Sequence, residues 1–128
     1  MKIGNIKFKA KRLDNGEWVK GDLAHSLDGG LNIFGFTREN GVDCYSGVHL
    51  IDPETVCQFT GLKDSEGKEL FEHDLIHFAG FNNTAEVIWS ECNYAFMVVC
   101  DNKHSYWLYD VIKVCKIERI GNKFDKEK

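Results

Sequence analysis

Proline is nearly absent from this chain: Pro53 stands alone among 128 residues, and no Pro/Ser-rich linker, internal repeat or low-complexity tract breaks the sequence. Long apolar runs are missing too. The N-terminus, Met1-Lys2-Ile3-Gly4-Asn5-Ile6-Lys7-Phe8, keeps interrupting its apolar residues with charged and polar ones. It therefore lacks the core of a signal peptide, and no later stretch is long enough to span a bilayer. A cytoplasmic location is the expectation.

The five cysteines, Cys44, Cys57, Cys92, Cys100 and Cys115, are odd in number and have no short paired spacings, so neither a disulfide framework nor a zinc motif is read from them. They are read as reduced, structural thiols. Basic charge is scarce and scattered: net charge is −4, and only Lys7, Lys9, Lys11 and Arg12 gather. Sequence-independent nucleic-acid binding rests on clustered Lys and Arg that neutralise phosphates, so this balance weighs against it. There is no Gly-x-Ser-x-Gly elbow and no Gly-rich loop between a strand and a long helix, which argues against a nucleotide-dependent enzyme. Nor does any segment sustain a helical period.

What is present is turn chemistry. Asp14-Asn15-Gly16, Asp28-Gly29-Gly30, Glu39-Asn40-Gly41, Asp64-Ser65-Glu66-Gly67, Phe81-Asn82-Asn83, Asp101-Asn102-Lys103 and Gly121-Asn122 alternate with short segments rich in β-branched and aromatic residues. That is the pattern of a mainly antiparallel all-β protein. Ile6, Phe8 and Ala10 define the apolar face of a first strand, with Lys7 and Lys9 on its wet face. Further strands are expected over 17–23, 31–36, 55–59, 74–78, 85–89, 94–100 and 114–117, with a helical turn or a strand over 105–112. Together the later strands could close a small barrel. The Asp52-Pro53 step marks a junction between an N-terminal β lobe, 1–52, and a second part, 53–122. With 43% apolar and 28% charged residues, the composition is that of a folded domain and suggests neither disorder nor a membrane span.

The segment from Asp52 to Ile76, DPETVCQFTGLKDSEGKELFEHDLI, resembles the signature of the YopX-like proteins, PETV-x-Q-[FY]-TGLKD-x-x-GK-x-[IL]-[FY]-EGD-[IL]-[IV]. The stretch from Gly16 to Leu23 is similar to that family's G-x-WV-x-G-x-L strand, and Ile120-Gly121-Asn122-Lys123-Phe124-Asp125 to its closing IGN-x-x-D. The resemblance implies an SH3-like roll, a phage or prophage origin with residence in the bacterial host cytoplasm, and an accessory protein of uncharacterised function. It carries no catalytic residues to transfer. One position departs from the pattern: His73 stands where the family has glycine. A left-handed or bridge backbone is therefore expected there.

Within the signature, Thr60, Gly61, Asp64, Gly67, Glu72, His73 and Asp74 read as structural turn residues, with Phe59, Leu62, Leu70 and Phe71 packing beneath them. The rival reading gathers Glu72, His73, Asp74 and His77 into a titratable cluster for metal binding or acid–base work. A nucleophile at Cys92 or Cys100 with His104 and Asp110 is a chance combination. No metal or cofactor is expected, and no catalysis. The second half is rich in aromatics; Trp18, Trp89 and Phe96 are assigned to the core, while Tyr106, Trp107 and Tyr109 supply the outward contact surface. The leading reading is a module that binds a host or phage protein, with a homo-oligomer as a secondary expectation. A nucleic-acid-binding roll using Lys7, Lys9, Lys11 and Arg12 comes second.

Overall fold

The computed structural model describes residues 2–39, 42–78, 84–100 and 104–125. The turns expected at Asn40-Gly41, Phe81–Asn83 and Asp101–Lys103 fall wholly or partly outside these residues. The chain forms two compact units, Met1–Phe59 and Thr60–Lys128. Antiparallel strands dominate both, so the protein belongs to the all-β class.

In the first unit, β1 (Phe8–Lys11), β2 (Trp18–His25), β3 (Leu31–Glu39) and β4 (Val42–Leu50) pair in the order β4-β3-β2-β1, and the start of β5 (Cys57–Lys63) adds to β1. Asp14-Asn15-Gly16 and Asp28-Gly29-Gly30 make the turns that link β1 to β2 and β2 to β3. Ala10, Val19, Ile33 and Ile51 form the core, with Phe8, Leu23, Leu31 and Val56 packed on it. Gly21 is required because a Cβ there would come within 1.8 Å of the Phe34 carbonyl oxygen. Pro53 opens a 3-10 turn, Pro53–Thr55, whose Asp52 cap accepts from Glu54 N–H at 3.1 Å.

The expected wet face of β1 is corrected. Lys9 is only 4% exposed, and its ammonium lies 4.7 Å above the Trp18 ring. Lys11 approaches the same ring at 5.4 Å, while Lys7 sits 4.8 Å over Phe59. Alternation placed the lysines together on one face, as the strand requires. Their long aliphatic stems and the electron-rich ring faces allow that face to be covered.

In the second unit, β5 continues beside β6 (Glu69–Phe71), and a separate sheet follows: β7 (Asp74–Phe78), β8 (Thr84–Ser90), β9 (Ala95–Cys100), β10 (Ser105–Trp107) and β11 (Ile117–Asn122), ordered β10-β9-β8-β7-β11. The one α-helix among the described residues, α1 (Leu108–Val114), links β10 to β11. Leu108 and Val111 of α1 join Leu70, Ile76, Val87, Val98 and Ile117 in the core.

The anticipated barrel does not close. Among the described residues the five-stranded sheet stays open, with β10 and β11 at its edges. β10 is only three residues long, and α1 covers the apolar face that barrel closure would otherwise have to bury. Several boundaries also differ from expectation: the strands expected over 17–23 and 31–36 run on to His25 and Glu39, and the one expected over 55–59 runs Cys57–Lys63, because Thr55 belongs to the 3-10 turn. Val114 ends the helix, so β11 starts at Ile117, and Tyr94 lies in the β8–β9 turn with φ 51.

Candidate functional site

Two aspartates of the signature are buried, and their bonds explain the motif. Asp64 Oδ1 accepts from the backbone N–H groups of Glu66 (2.9 Å) and Lys68 (2.8 Å), while Gly67 takes φ 87. Its Oδ2 accepts from Arg119 N–H of β11 at 2.8 Å. Burial pushes this carboxyl up, yet the backbone N–H groups of Arg119, Lys68 and Glu66 outweigh it and hold Asp64 below the usual carboxylate range. Next to it, Ser65 exchanges two bonds with Ile117: Ser65 N–H donates to the Ile117 carbonyl (3.0 Å), and Ile117 N–H to Ser65 Oγ (2.9 Å).

Asp74, fully buried, accepts from Phe71 N–H at 2.7 Å and Asn122 Nδ2 at 2.8 Å, and pairs with Arg119 Nε at 3.0 Å. Asn122 in turn accepts from Phe124 N–H, and its own N–H donates to Asp125. The signature and β11 are thus halves of one clasp: Asp64, Ser65 and Asp74 bond Arg119, Ile117 and Asn122 in turn across 48 to 55 positions of chain, and half of the donors to the two carboxylates come from β11. The aspartates are legible in the sequence as turn residues; Arg119 and the reach of Asn122 are not. No short spacing links the partners, so no local signal marks them.

His73 takes φ 70, the left-handed backbone expected from the missing glycine. Its Nδ1 lies 2.8 Å from Glu86 Oε2, its Nε2 lies 4.0 Å from Glu72 Oε2, and its ring meets Phe124 edge-on at 5.3 Å. The suggested titratable cluster does not assemble. The two glutamates flank opposite nitrogens of one imidazole, and so cannot share a metal with it. Asp74 points into the buried network. His77 lies on the other face of β7, lining a pocket with Ser65, Glu66 and Lys116. Among the described residues no three His, Cys, Asp or Glu side chains come together as metal ligands. Of the five free cysteines only Cys57 is buried, and Cys92 is exposed. Cys100 meets His104 through backbone, N–H to carbonyl at 2.9 Å.

The aromatic candidates stand at the β10 edge. Tyr106 and Trp107 are each 47% exposed and Tyr109 is 58% exposed. They do not make one flat face. β10 pairs Tyr106 with Val98 and Trp107 with Met97, so alternation sends the two rings to opposite sides of the sheet. Tyr109 follows on the first turn of α1, where the Lys113 ammonium lies 4.8 Å from its ring. The far edge of β10 carries no further strand among the described residues. An extended segment laid along it would find an aromatic ring on either side. Trp89, assigned to the core, is instead 38% exposed and packs edge-on against Phe96 at 5.1 Å, because it lies near the β8–β9 turn.

Fold and site together define an all-β protein of two units in which two buried aspartates of the signature brace a strand and three exposed aromatic residues stand at and beside the β10 edge. The family model described as YopX protein matches residues 7–127, and the chain belongs to the YopX family. Comparison with curated proteins finds no match.

Proposed function

We propose that the protein is a non-catalytic protein-binding module, an accessory protein of phage or prophage origin acting in the bacterial cytoplasm, which receives an extended segment of a host or phage protein along the β10 edge. One observation carries this reading: an open strand edge flanked by two half-exposed rings, Tyr106 and Trp107, with Tyr109 following on α1. Strand addition draws its affinity from main-chain hydrogen bonds and its selectivity from side chains on alternate faces. The engagement of Asp64 and Asp74 in structural bonds favours a bracing role over acid–base work. The disposition of the basic cluster lends little to nucleic-acid binding: Lys9 is buried, and Arg12 forks Asp14 through contacts of 2.9 and 2.6 Å.

Affinity capture from a nuclease-treated bacterial lysate tests this proposal. The wild type should retain a specific protein at moderate salt. Trp107→Ala, at unchanged melting temperature, should lower the retained amount by about tenfold or more, as loss of an aromatic anchor does. No specific protein after nuclease treatment, with nucleic acid retained from an untreated lysate and released steeply with salt, would move the function to the second reading.

A further inference from the structure

The strongest unexplained surface lies on the first unit. β3 presents Ile33 to the core, but on its other face Phe34 and Phe36 point outward. On β4, Val48 stands opposite Phe34 and Tyr45 opposite Phe36, and Leu50 continues the row. These five side chains are between 40 and 59% exposed, and the Phe36 and Tyr45 rings meet edge-on at 6.0 Å. Direct cross-strand partners share a face, so they form one continuous apolar strip. Half-exposed side chains of this size leave on the order of 400 to 500 Å² open, within the roughly 300 to 600 Å² of the largest patch on a typical monomer, a patch that is often functional.

The charges beside the strip suggest what covers it. Lys20 of β2 stands opposite Phe36, and Asp22 opposite Phe34. Suppose a second copy packs face to face about a two-fold axis that lies between the sheets and crosses the strands midway between these pairs. Each strand then lies antiparallel over its own copy, Phe34 sits over Phe36, and Lys20 of each chain faces Asp22 of the other. The strip is therefore complementary to itself in charge as well as in apolarity, the condition for an isologous interface. With its rim it approaches the roughly 800 Å² per partner of a standard interface from below, which fits a reversible dimer rather than a permanent one.

We propose that the β3–β4 face is a self-association surface whose occupant is a second copy of this chain, held by Phe34, Phe36, Tyr45, Val48 and Leu50 and registered by Lys20 against Asp22. Sedimentation equilibrium from low micromolar to submillimolar protein tests it. The wild type should rise from the mass of one chain toward two, and Phe36→Asp should remain at one chain with an unchanged melting temperature. Lys20→Glu should weaken association about tenfold, and adding Asp22→Lys should restore it, since the swapped pair is again complementary. A single-chain mass throughout would overturn the proposal. So would association that survives Phe36→Asp, which would point to strand-edge pairing, or a double variant as weak as Lys20→Glu alone.

Discussion

His73 holds its backbone at φ 70, a conformation that costs a residue bearing a Cβ about 1 kcal/mol or more and costs glycine almost nothing. Replacing it by alanine or by glycine removes the same contacts to Glu86 and Phe124, so the difference between the two variants isolates the backbone. His73→Gly should be the more stable in urea, by about 1 kcal/mol; equal stability would contradict the strain. Asp64 makes a separate statement through pH. Its folded-state carboxyl lies below the usual range, so the stability it contributes is complete above the unfolded value and fades as pH falls through the folded one. The melting-temperature gap between wild type and Asp64→Asn should therefore stay constant from neutral pH to about 5 and narrow below about pH 4. A gap unchanged at still lower pH would mean the carboxylate charge is not what those N–H groups hold. Lys9 shows the limit of residue-level reading: a lysine in a strand is assigned to solvent by its charge, but the long stem and a neighbouring tryptophan make burial affordable.

Strands declare themselves when both alternation and turns are clean. Over Asp74–Phe78 the expected and observed boundaries coincide, since Ile76 and Phe78 alternate with Leu75 and His77 immediately after a tight turn. β4 is not legible from the sequence. Its apolar positions fall out of step at the register shift opposite Gly35 and Phe36, beside Gly47 with φ 108, and period-2 counting fails across such a bulge. The β3–β4 strip did leave a signal: Leu31-Asn32-Ile33-Phe34-Gly35-Phe36 is apolar on both faces, unusual for a half-buried strand. The helix was equally ambiguous, because aromatics over 105–109 suit a strand; in the structure they divide, three residues to β10 and the rest to α1. As the cover of an open sheet, α1 should matter to stability well beyond its seven residues. Leu108, fully buried, should cost about 2 to 5 kcal/mol on replacement by alanine, measured by denaturant unfolding. A loss below about 1 kcal/mol, the scale of a surface change, would show that the helix does not complete this core.

At the scale of the chain, the family's two motifs acquire a single physical meaning within residues 60–128. Asp64, Ser65 and Asp74 engage Ile117, Arg119 and Asn122 of β11, so a terminal strand is fastened by side-chain bonds as well as by its ladder to β7. Turn chemistry made the first motif legible as structural; the partners became visible only with the fold. Thermal unfolding of Asp74→Ala tests this directly. Removing a buried carboxylate leaves the Phe71 N–H, the Asn122 amide and the Arg119 guanidinium without that acceptor, a loss of about 3 to 5 kcal/mol, and the melting temperature should fall by roughly 10 °C or more. An unchanged or raised melting temperature, of the kind found when a functional group is removed at no structural cost, would contradict the clasp and return Asp74 to the list of working residues.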